Sequence, residues 1–211
     1  MIGKDVPFAL LQAVADMPED ALRAAISRLQ AAEFLYEVSL FPDLEYTFKH
    51  ALTHEVAYNG ILNERRRALH GRIVTALETL YRGRLTEQVE RLAHHALRGE
   101  VWEKAYLYSR QAAEKALGRS ANREAIAAFE HAFHALKHMP ETREAITQAI
   151  DLRLLLEMPL IQTGQYAQLL ENSQEADRLV KKIDDPLRQG RVLAYLCEAH
   201  GNRGNTRVAI D

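Results

Sequence analysis

Histidine is the residue type whose spacing in this chain suggests the most chemistry. His131, His134 and His138 lie at i, i+3 and i+7, so on one helix their rings would share a face that suits Zn²⁺ or Ni²⁺. No cysteine or carboxylate accompanies them at a recognisable metal-binding spacing, and we therefore expect partly exposed surface histidines and no metal. His50 and His54 have the spacing of the two zinc ligands on a metalloprotease helix. The glutamate follows the second histidine instead of the first, however, which excludes that class.

Phosphate-binding and catalytic motifs are missing from the sequence. It contains no Gly-x-x-x-x-Gly-Lys-Ser/Thr loop that could hold the phosphates of a nucleotide. We therefore expect a chain that is not an enzyme and that has no cofactor of its own.

One basic cluster is present, formed by Arg65, Arg66 and Arg67 together with Arg72. Three consecutive arginines point in different directions around a helix, so the simplest expectation is a solvated face whose arginines pair with acidic side chains. The alternative, which gives the cluster a functional role, is a docking surface for another domain.

Composition places the chain among ordinary globular proteins. It has 211 residues, 47% of them hydrophobic and 27% charged, and its formal net charge is −2. That balance provides no bulk attraction to nucleic acid or to an anionic membrane. The apolar runs are too short to span a bilayer and no leader peptide opens the chain, so we expect a cytoplasmic protein. The single Cys197 agrees with a reducing compartment.

Residues 1–62 have the pattern of a small winged-helix module. Helical patterns at 8–14 and 18–31 are followed by two alternating, strand-like stretches at 34–40 and 44–48, with a turn at Phe41-Pro42-Asp43. Helical spacing returns at His50 and runs to Ile61. The segment has four basic residues against nine acidic ones, and phosphate contacts need a positive face. We therefore expect no nucleic-acid binding.

Residues 63–211 have a helical pattern throughout, which predicts a mostly α protein. The expected helices are 63–81, 85–98, 101–117, 121–138, 142–163, 165–183 and 186–202, with another beginning at 205. Ala125, Phe129 and Ala132 match the small, aromatic and small positions of a tetratricopeptide repeat. Leu169, Ser173 and Ala176 fit the same positions less well. We predict an α-helical, tetratricopeptide-like solenoid, with an irregular helix bundle as the alternative.

Several longer stretches resemble a known family. They are Phe8-Ala-Leu-Leu-Gln-Ala-Val, Leu29-Gln-Ala-Ala-Glu-Phe-Leu-Tyr, Leu44-Glu-Tyr-Thr-Phe-Lys-His-Ala-Leu-Thr-His-Glu-Val-Ala-Tyr, Glu64-Arg-Arg-Arg-Ala-Leu-His and Leu92-Ala-His-His-Ala-Leu-Arg-Gly-Glu. Together they look like the region that follows the ATPase core in bacterial signalling proteins of the STAND ATPase class, many of which carry a cyclase or kinase domain. The resemblance implies a winged helix and a tetratricopeptide-like sensor, without the catalytic domains. It also implies that the winged helix serves as an internal lid.

The same resemblance suggests a role for His50. A winged-helix histidine at a strand-to-helix junction contacts the β-phosphate of bound ADP in such ATPases, although Ala51 stands where the best-known version of the motif has an acidic residue. The alternative is that His50 caps its helix or packs on Tyr46.

The expected function is that of a regulatory module. It would bind a protein partner, or the ATPase domain of its own parent, through its helical repeats, with the arginine cluster as a docking surface. A DNA-binding winged-helix regulator with a helical effector domain is the competing hypothesis. We also expect self-association through the C-terminal end, where the apolar face of helix 186–202 (Val192, Leu193, Leu196 and Cys197) would be poorly covered.

Overall fold

The protein is mostly α-helical, with a small sheet near the N-terminus. The computed structural model describes residues 5–39 and 44–202, and 74% of these residues are helical. The chain divides into two compact units, Met1–Val101 and Trp102–Asp211. The predicted turn at residues 41–43 and the predicted helix start at 205 lie outside the described residues.

The N-terminal unit begins with the predicted winged-helix-like pattern. Its elements are β1 (Asp5–Pro7), α1 (Phe8–Val14), α2 (Glu19–Ala31), β2 (Leu35–Ser39), β3 (Glu45–Phe48) and α3 (Ala51–Asn59). The strands form one antiparallel sheet in the order β1-β3-β2. The sequence pattern does not predict β1. This strand is three residues long, too short for a periodic pattern, and it forms by pairing with β3, where Val6 lies opposite Tyr46.

The core of this module lies between the sheet and the first two helices. Phe8, Leu22, Ile26 and Tyr46 are buried together, and the rings of Phe8 and Tyr46 meet edge to face. On β2 the buried side chain is Leu35, whereas the apolar residues on the opposite face of this segment (Phe34, Tyr36 and Val38) are exposed. This sheet therefore has one covered face and one open face.

Two longer helices complete the N-terminal unit. α4 (Asn63–Leu80) packs against α1, and α5 (Val89–Arg98) packs against α4 after a 3-10 turn at Leu85–Glu87. Ile73 and Leu77 of α4 and Leu92 of α5 are fully buried. The N-terminal compact unit thus extends to residue 101, whereas the sequence pattern predicts a domain boundary after residue 62. The apolar face of α4 accounts for the difference, because both α1 and α5 pack against this helix.

The C-terminal unit consists of consecutive helices. They are α6 (Trp102–Gly118), α7 (Asn122–Leu136), α8 (Arg143–Gln162), α9 (Tyr166–Val180) and α10 (Pro186–Asn202). Each helix packs against the next, and α8 also contacts α10. The Thr142 hydroxyl caps α8 by accepting a hydrogen bond from the Ala145 backbone N–H at 3.1 Å.

The positions that suggest a repeat are interior ones. Ala125, Phe129 and Ala132 on α7 are fully buried, and their counterparts on α9 (Leu169, Ser173 and Ala176) are buried too. Small residues at such positions let neighbouring helix axes approach closely. On α10, the predicted apolar face is divided: Val192 is fully buried, whereas Leu193 and Cys197 are exposed.

Within the part of the chain that the structure describes, every helix is too short or too polar to cross a bilayer.

Candidate functional site

His50 lies at the junction that the sequence indicates, between β3 and α3. It occupies the N-cap position of α3 with extended backbone angles, but its side chain makes no capping hydrogen bond. The residue is exposed, and its backbone carbonyl accepts from the N–H groups of Thr53 and His54. The ring is therefore accessible at the end of a helix, on the surface of the N-terminal unit.

The arginine cluster lies along the first turns of α4, and three of its members have partners within the N-terminal unit. The guanidinium of Arg66 lies 5.0 Å from the ring centroid of Tyr58. Arg67 pairs with Glu100 at 2.8 Å, and Arg72 lies 3.8 Å from Asp16. Arg65 is exposed. Arg66, Arg67 and Arg72 thus have three different partners, so the cluster is a charged surface whose members are held separately.

Two of the three histidines on α7 and in the turn that follows it, His134 and His138, lie near an aromatic ring. The ring of His138 stacks on Trp102 with centroids 4.0 Å apart, and His134 meets the same indole edge to face at 5.8 Å. His138 Nδ1 is 2.9 Å from the His134 carbonyl oxygen and donates to it, while His131 is exposed. Among the residues that the structure describes, no group of three or more histidine, cysteine or acidic side chains is arranged to hold a metal ion.

In the competing DNA-binding hypothesis, helix α2 would be the helix that contacts DNA. This helix directs little positive charge outwards. Arg23 is paired with Glu19 at 2.8 Å, and its guanidinium lies over the ring of Phe8. Arg28 is the other basic residue of this helix, and Asp20 adds a further carboxylate to its first turn. The helix therefore lacks the cationic surface that contacts with DNA phosphates require.

The most distinctive site of the C-terminal unit is a groove of about 420 Å³ between α7, α8 and α9. Its floor is apolar and its rim carries charges of both signs. The residues that line it are Phe133, Leu136, Lys137, Met139, Glu141, Ala145, Ile146, Ala149, Arg153, Glu175, Arg178, Leu179 and Lys182. Four of these side chains are cationic and two are acidic, so the groove has an excess of positive charge.

Two of the four cations are neutralised within the groove. Arg178 holds Glu175 with two hydrogen bonds of 2.7 and 2.6 Å, and Lys182 pairs with Glu141. These contacts lower the pKa of both carboxyl groups below their ordinary values, because each is hydrogen-bonded to a cation in its ionised form. At neutral pH the groove therefore holds two ion pairs and two further cations, Lys137 and Arg153.

Arg153 is the cation of the groove that contacts both α7 and α9. Its guanidinium lies 4.6 Å from the ring centroid of Phe133, and Nη1 donates to the Asn172 side-chain oxygen at 3.2 Å. The Nε–H is buried and has no hydrogen-bond partner among the described residues. Burial lowers the pKa of this guanidinium below its ordinary value, yet an arginine stays protonated at any physiological pH.

Asn172 fixes Arg153 through a second hydrogen bond. The Asn172 side-chain nitrogen donates to the backbone carbonyl of Arg153 at 2.9 Å, and Asn172 is itself buried. One amide on α9 therefore holds both the main chain and the guanidinium of a residue on α8. The arginine is thus positioned by its surroundings before any ligand arrives.

Sequence reasoning missed Arg153. The available signal is its neighbourhood, Leu152-Arg153-Leu154-Leu155-Leu156, in which one arginine interrupts a run of leucines. A charged residue in such a run is rarely buried unless it has a partner or a role.

Comparison with known proteins finds a similar segment in a longer protein. No family model matches the chain. An uncharacterized protein of Rhizobium meliloti (strain 1021) is 31% identical over 144 residues, which is 68% of this chain and 14% of that protein. The chain thus spans a small fraction of the length of the curated relative that it matches.

Proposed function

We propose that this chain is a non-catalytic regulatory or sensor module that binds a protein partner, or another domain of its own polypeptide, through the helices of its C-terminal unit. The observation that carries the proposal is the groove between α7, α8 and α9, which combines an apolar floor with a positioned arginine. Grooves between packed helices are common sites for polypeptide segments. The fully buried small residues on α7 agree with a tetratricopeptide-like array.

The parent protein in this proposal is a multidomain signalling ATPase of the STAND class. The multidomain part of this proposal agrees with the relative from Rhizobium meliloti, in which the similar segment occupies only 14% of a longer polypeptide. Binding of a partner would act by favouring one of two conformations of the parent, which requires a difference in affinity between them. The arginine cluster on α4 would then contact the ATPase domain, and its exposed Arg65 is the member best placed to do so.

His50 would contribute a phosphate contact in that parent. Its exposed ring at the start of α3 can donate an N–H where the helix dipole already favours an anion. In the complete ATPase, His50→Ala should speed the release of ADP and raise basal output. An ADP release rate equal to that of the unaltered protein would make His50 a surface residue without this role.

A selection of displayed random peptides tests the proposed function, because such a selection needs no identified partner. We expect selected peptides to bind with micromolar affinity and to protect backbone amides of α7, α8 and α9 from hydrogen exchange. Protection confined to the N-terminal unit, or a failure to select any binding peptide, would contradict the proposal.

DNA binding is the competing function, and a fluorescein-labelled duplex tests it. Affinity for duplex DNA that falls steeply as salt rises would favour the DNA-binding regulator, because such binding releases counterions from the phosphates. We expect no such binding, because α2 directs little positive charge outwards.

Self-association is part of the proposal. The exposed Leu187 and Leu193 of α10 are the apolar side chains that would support it. Light scattering over a concentration series tests this point, and a strict monomer at high concentration would argue against it.

A further inference from the structure

We propose that the groove between α7, α8 and α9 binds an acidic polypeptide segment, and that Arg153 receives a carboxylate of that segment. This inference rests on the proposed function and specifies the chemistry of the partner. It depends on four features of the groove: a cation without a directly bonded counter-ion, its fixed orientation, the charge balance of the rim and the apolar floor.

Arg153 is a costly residue for a helix interface. The residue is half-buried, its buried Nε–H has no acceptor among the described residues, and its guanidinium contacts an aromatic ring and a neutral amide. A buried cation without a counter-ion costs free energy that packing alone does not recover. Glu175, the acidic side chain of the groove whose charge acts on Arg153, is held by Arg178. A carboxylate from outside would supply the missing counter-ion.

The orientation of Arg153 favours recognition of a planar anion. Phe133 supports one face of the guanidinium, and Asn172 holds one edge through Nη1. A guanidinium presents its donors in a planar fork that matches a carboxylate. Because two neighbours already restrict the side chain, less conformational entropy is lost when it binds.

The remaining features select for a polypeptide over a small anion. Lys137 adds a second cation at the exposed rim of the groove. The floor of the groove is formed by apolar side chains, including Leu136, Ile146 and Leu179. A segment that alternates acidic and aliphatic side chains would satisfy both parts, whereas inorganic phosphate would leave the floor uncovered.

Two fluorescein-labelled decapeptides test the inference by fluorescence anisotropy. One alternates glutamate and leucine, and the other has glutamine in place of every glutamate. We expect the acidic peptide to bind at least about tenfold more tightly, since hydrogen bonds between charged groups are stronger than those between neutral ones. Equal affinity for the two peptides would overturn the inference, as would binding of inorganic phosphate without binding of the acidic peptide.

Variants of the groove locate the contact. Arg153→Gln should weaken binding of the acidic peptide at least about tenfold and leave the glutamine peptide unaffected. Arg123→Gln is the matched control, because Arg123 is an exposed arginine of α7 that does not line the groove, and it should bind like the unaltered protein. Full affinity in Arg153→Gln would overturn the assignment of Arg153.

Stability measurements separate a binding role from a structural one. If Arg153 serves binding, the double variant Arg153→Met, Asn172→Leu should unfold at the same temperature as the unaltered protein or higher, because it removes a cation that has no bonded counter-ion together with the buried amide that would otherwise lose its partner. A lower unfolding temperature would indicate that Arg153 serves the fold, and would count against the inference. Should Arg153→Gln fail to fold, Lys137→Gln at the exposed rim decides the matter: undiminished affinity for the acidic peptide would then overturn the inference.

The outcomes also separate this inference from the proposed function. Selected peptides that protect α7, α8 and α9 but carry no acidic residues would leave the proposed function standing and overturn the inference. Absence of any peptide binding would overturn both.

Discussion

His70 Nδ1 lies 2.8 Å from His95 Nδ1, and both rings are buried where α4 meets α5. Such a contact needs one ring to donate an N–H and the other to accept it, so at least one histidine of the pair must be neutral at this nitrogen. The Tyr58 hydroxyl lies 3.3 Å from His70 Nε2 on the other side of the ring. The pair therefore links α4 and α5 through a hydrogen bond. Protonation of the accepting ring nitrogen would break this bond.

Acid should destabilise the protein through this pair. Burial lowers the pKa of His70 to about 4 and that of His95 to about 3, and positive neighbours, among them His94, add to the effect. The unfolded chain binds protons near pH 6.5, so the stabilising contribution is complete above that pH and is lost as the pH falls towards 4 and below. Urea unfolding at a series of pH values measures this loss. The histidine contribution is the difference in free energy of unfolding between the unaltered protein and the His70→Leu, His95→Leu double variant, because this difference cancels the effects of other titrating groups. A difference that stays constant between about pH 6.5 and 4.5 would contradict the expectation.

A double-mutant cycle tests the hydrogen bond itself. His70→Leu or His95→Leu alone leaves a buried ring nitrogen without its partner, which should cost about 1–3 kcal/mol. The double variant should cost less than the sum of the two, because it removes both polar groups. The exposed His131→Leu serves as a control. Strictly additive effects would mean that the two rings do not interact.

The close approach of α5 to α4 should require a glycine at position 99. A Cβ at this position would lie 2.9 Å from the backbone nitrogen of Gly71, and backbone atoms cannot move aside cheaply. Gly99→Ala should therefore destabilise the protein by about 1–3 kcal/mol. Gly190→Ala, in the interior of α10 with open space around it, should instead stabilise by up to about 1 kcal/mol. Thermal unfolding of the two variants provides the comparison. Similar shifts in unfolding temperature for Gly99→Ala and Gly190→Ala would contradict the prediction.

Ala125 tests the packing of α7. The residue is fully buried, and Ala125→Glu would place an unpaired carboxylate in the interior at a cost of several kcal/mol. Ala127→Glu makes the same change on an exposed position of the same helix, where an effect within about 0.5 kcal/mol is expected. If Ala125→Glu melts like the unaltered protein, position 125 does not lie at a helix interface.

Glu157 should make the protein less stable in alkali. The residue is buried on α8 with Oε1 lacking a partner among the described residues, and burial, with the charge of Glu198, raises its pKa to about 8. The folded state thus binds this proton more tightly than the unfolded chain, whose glutamate has a pKa near 4.5. The stabilising contribution is therefore complete below about pH 4.5 and is lost as the pH rises through about 8.

Glu157→Gln should abolish that loss. Between about pH 5 and 8.5 the free energy of unfolding of the unaltered protein should fall by a few kcal/mol relative to that of this variant, because glutamine carries no ionisable group. The exposed Glu171→Gln is the matched control and should follow the unaltered protein. Parallel pH profiles for the unaltered protein and Glu157→Gln would show that this carboxyl is not the cause.

The helices of this protein can be predicted from the sequence with little error. The pattern predicts helix α8 at 142–163 and it extends over Arg143–Gln162, and it predicts α10 at 186–202, which extends over Pro186–Asn202. A helix imposes a period of 3.6 residues on its own apolar side chains, and loops of a few residues interrupt that period. Both signals are local, so they are present in the sequence before any tertiary contact forms. The burial of Ala125 and Phe129 likewise follows from their spacing.

The groove and the histidine pair depend on contacts between distant residues. Asn172 comes nineteen residues after Arg153 on another helix, and His95 comes twenty-five residues after His70. The neighbourhood of Arg153 in the sequence marks it as unusual but does not name its partner, because the partner of each of these residues is determined by how two helices pack. The histidines that the sequence singles out by spacing, at positions 131, 134 and 138, form no metal site among the described residues, whereas Arg153, which no motif marks, lines the groove. Local periodicity thus determines which segments are helices, while the packing of helix faces determines which side chains meet.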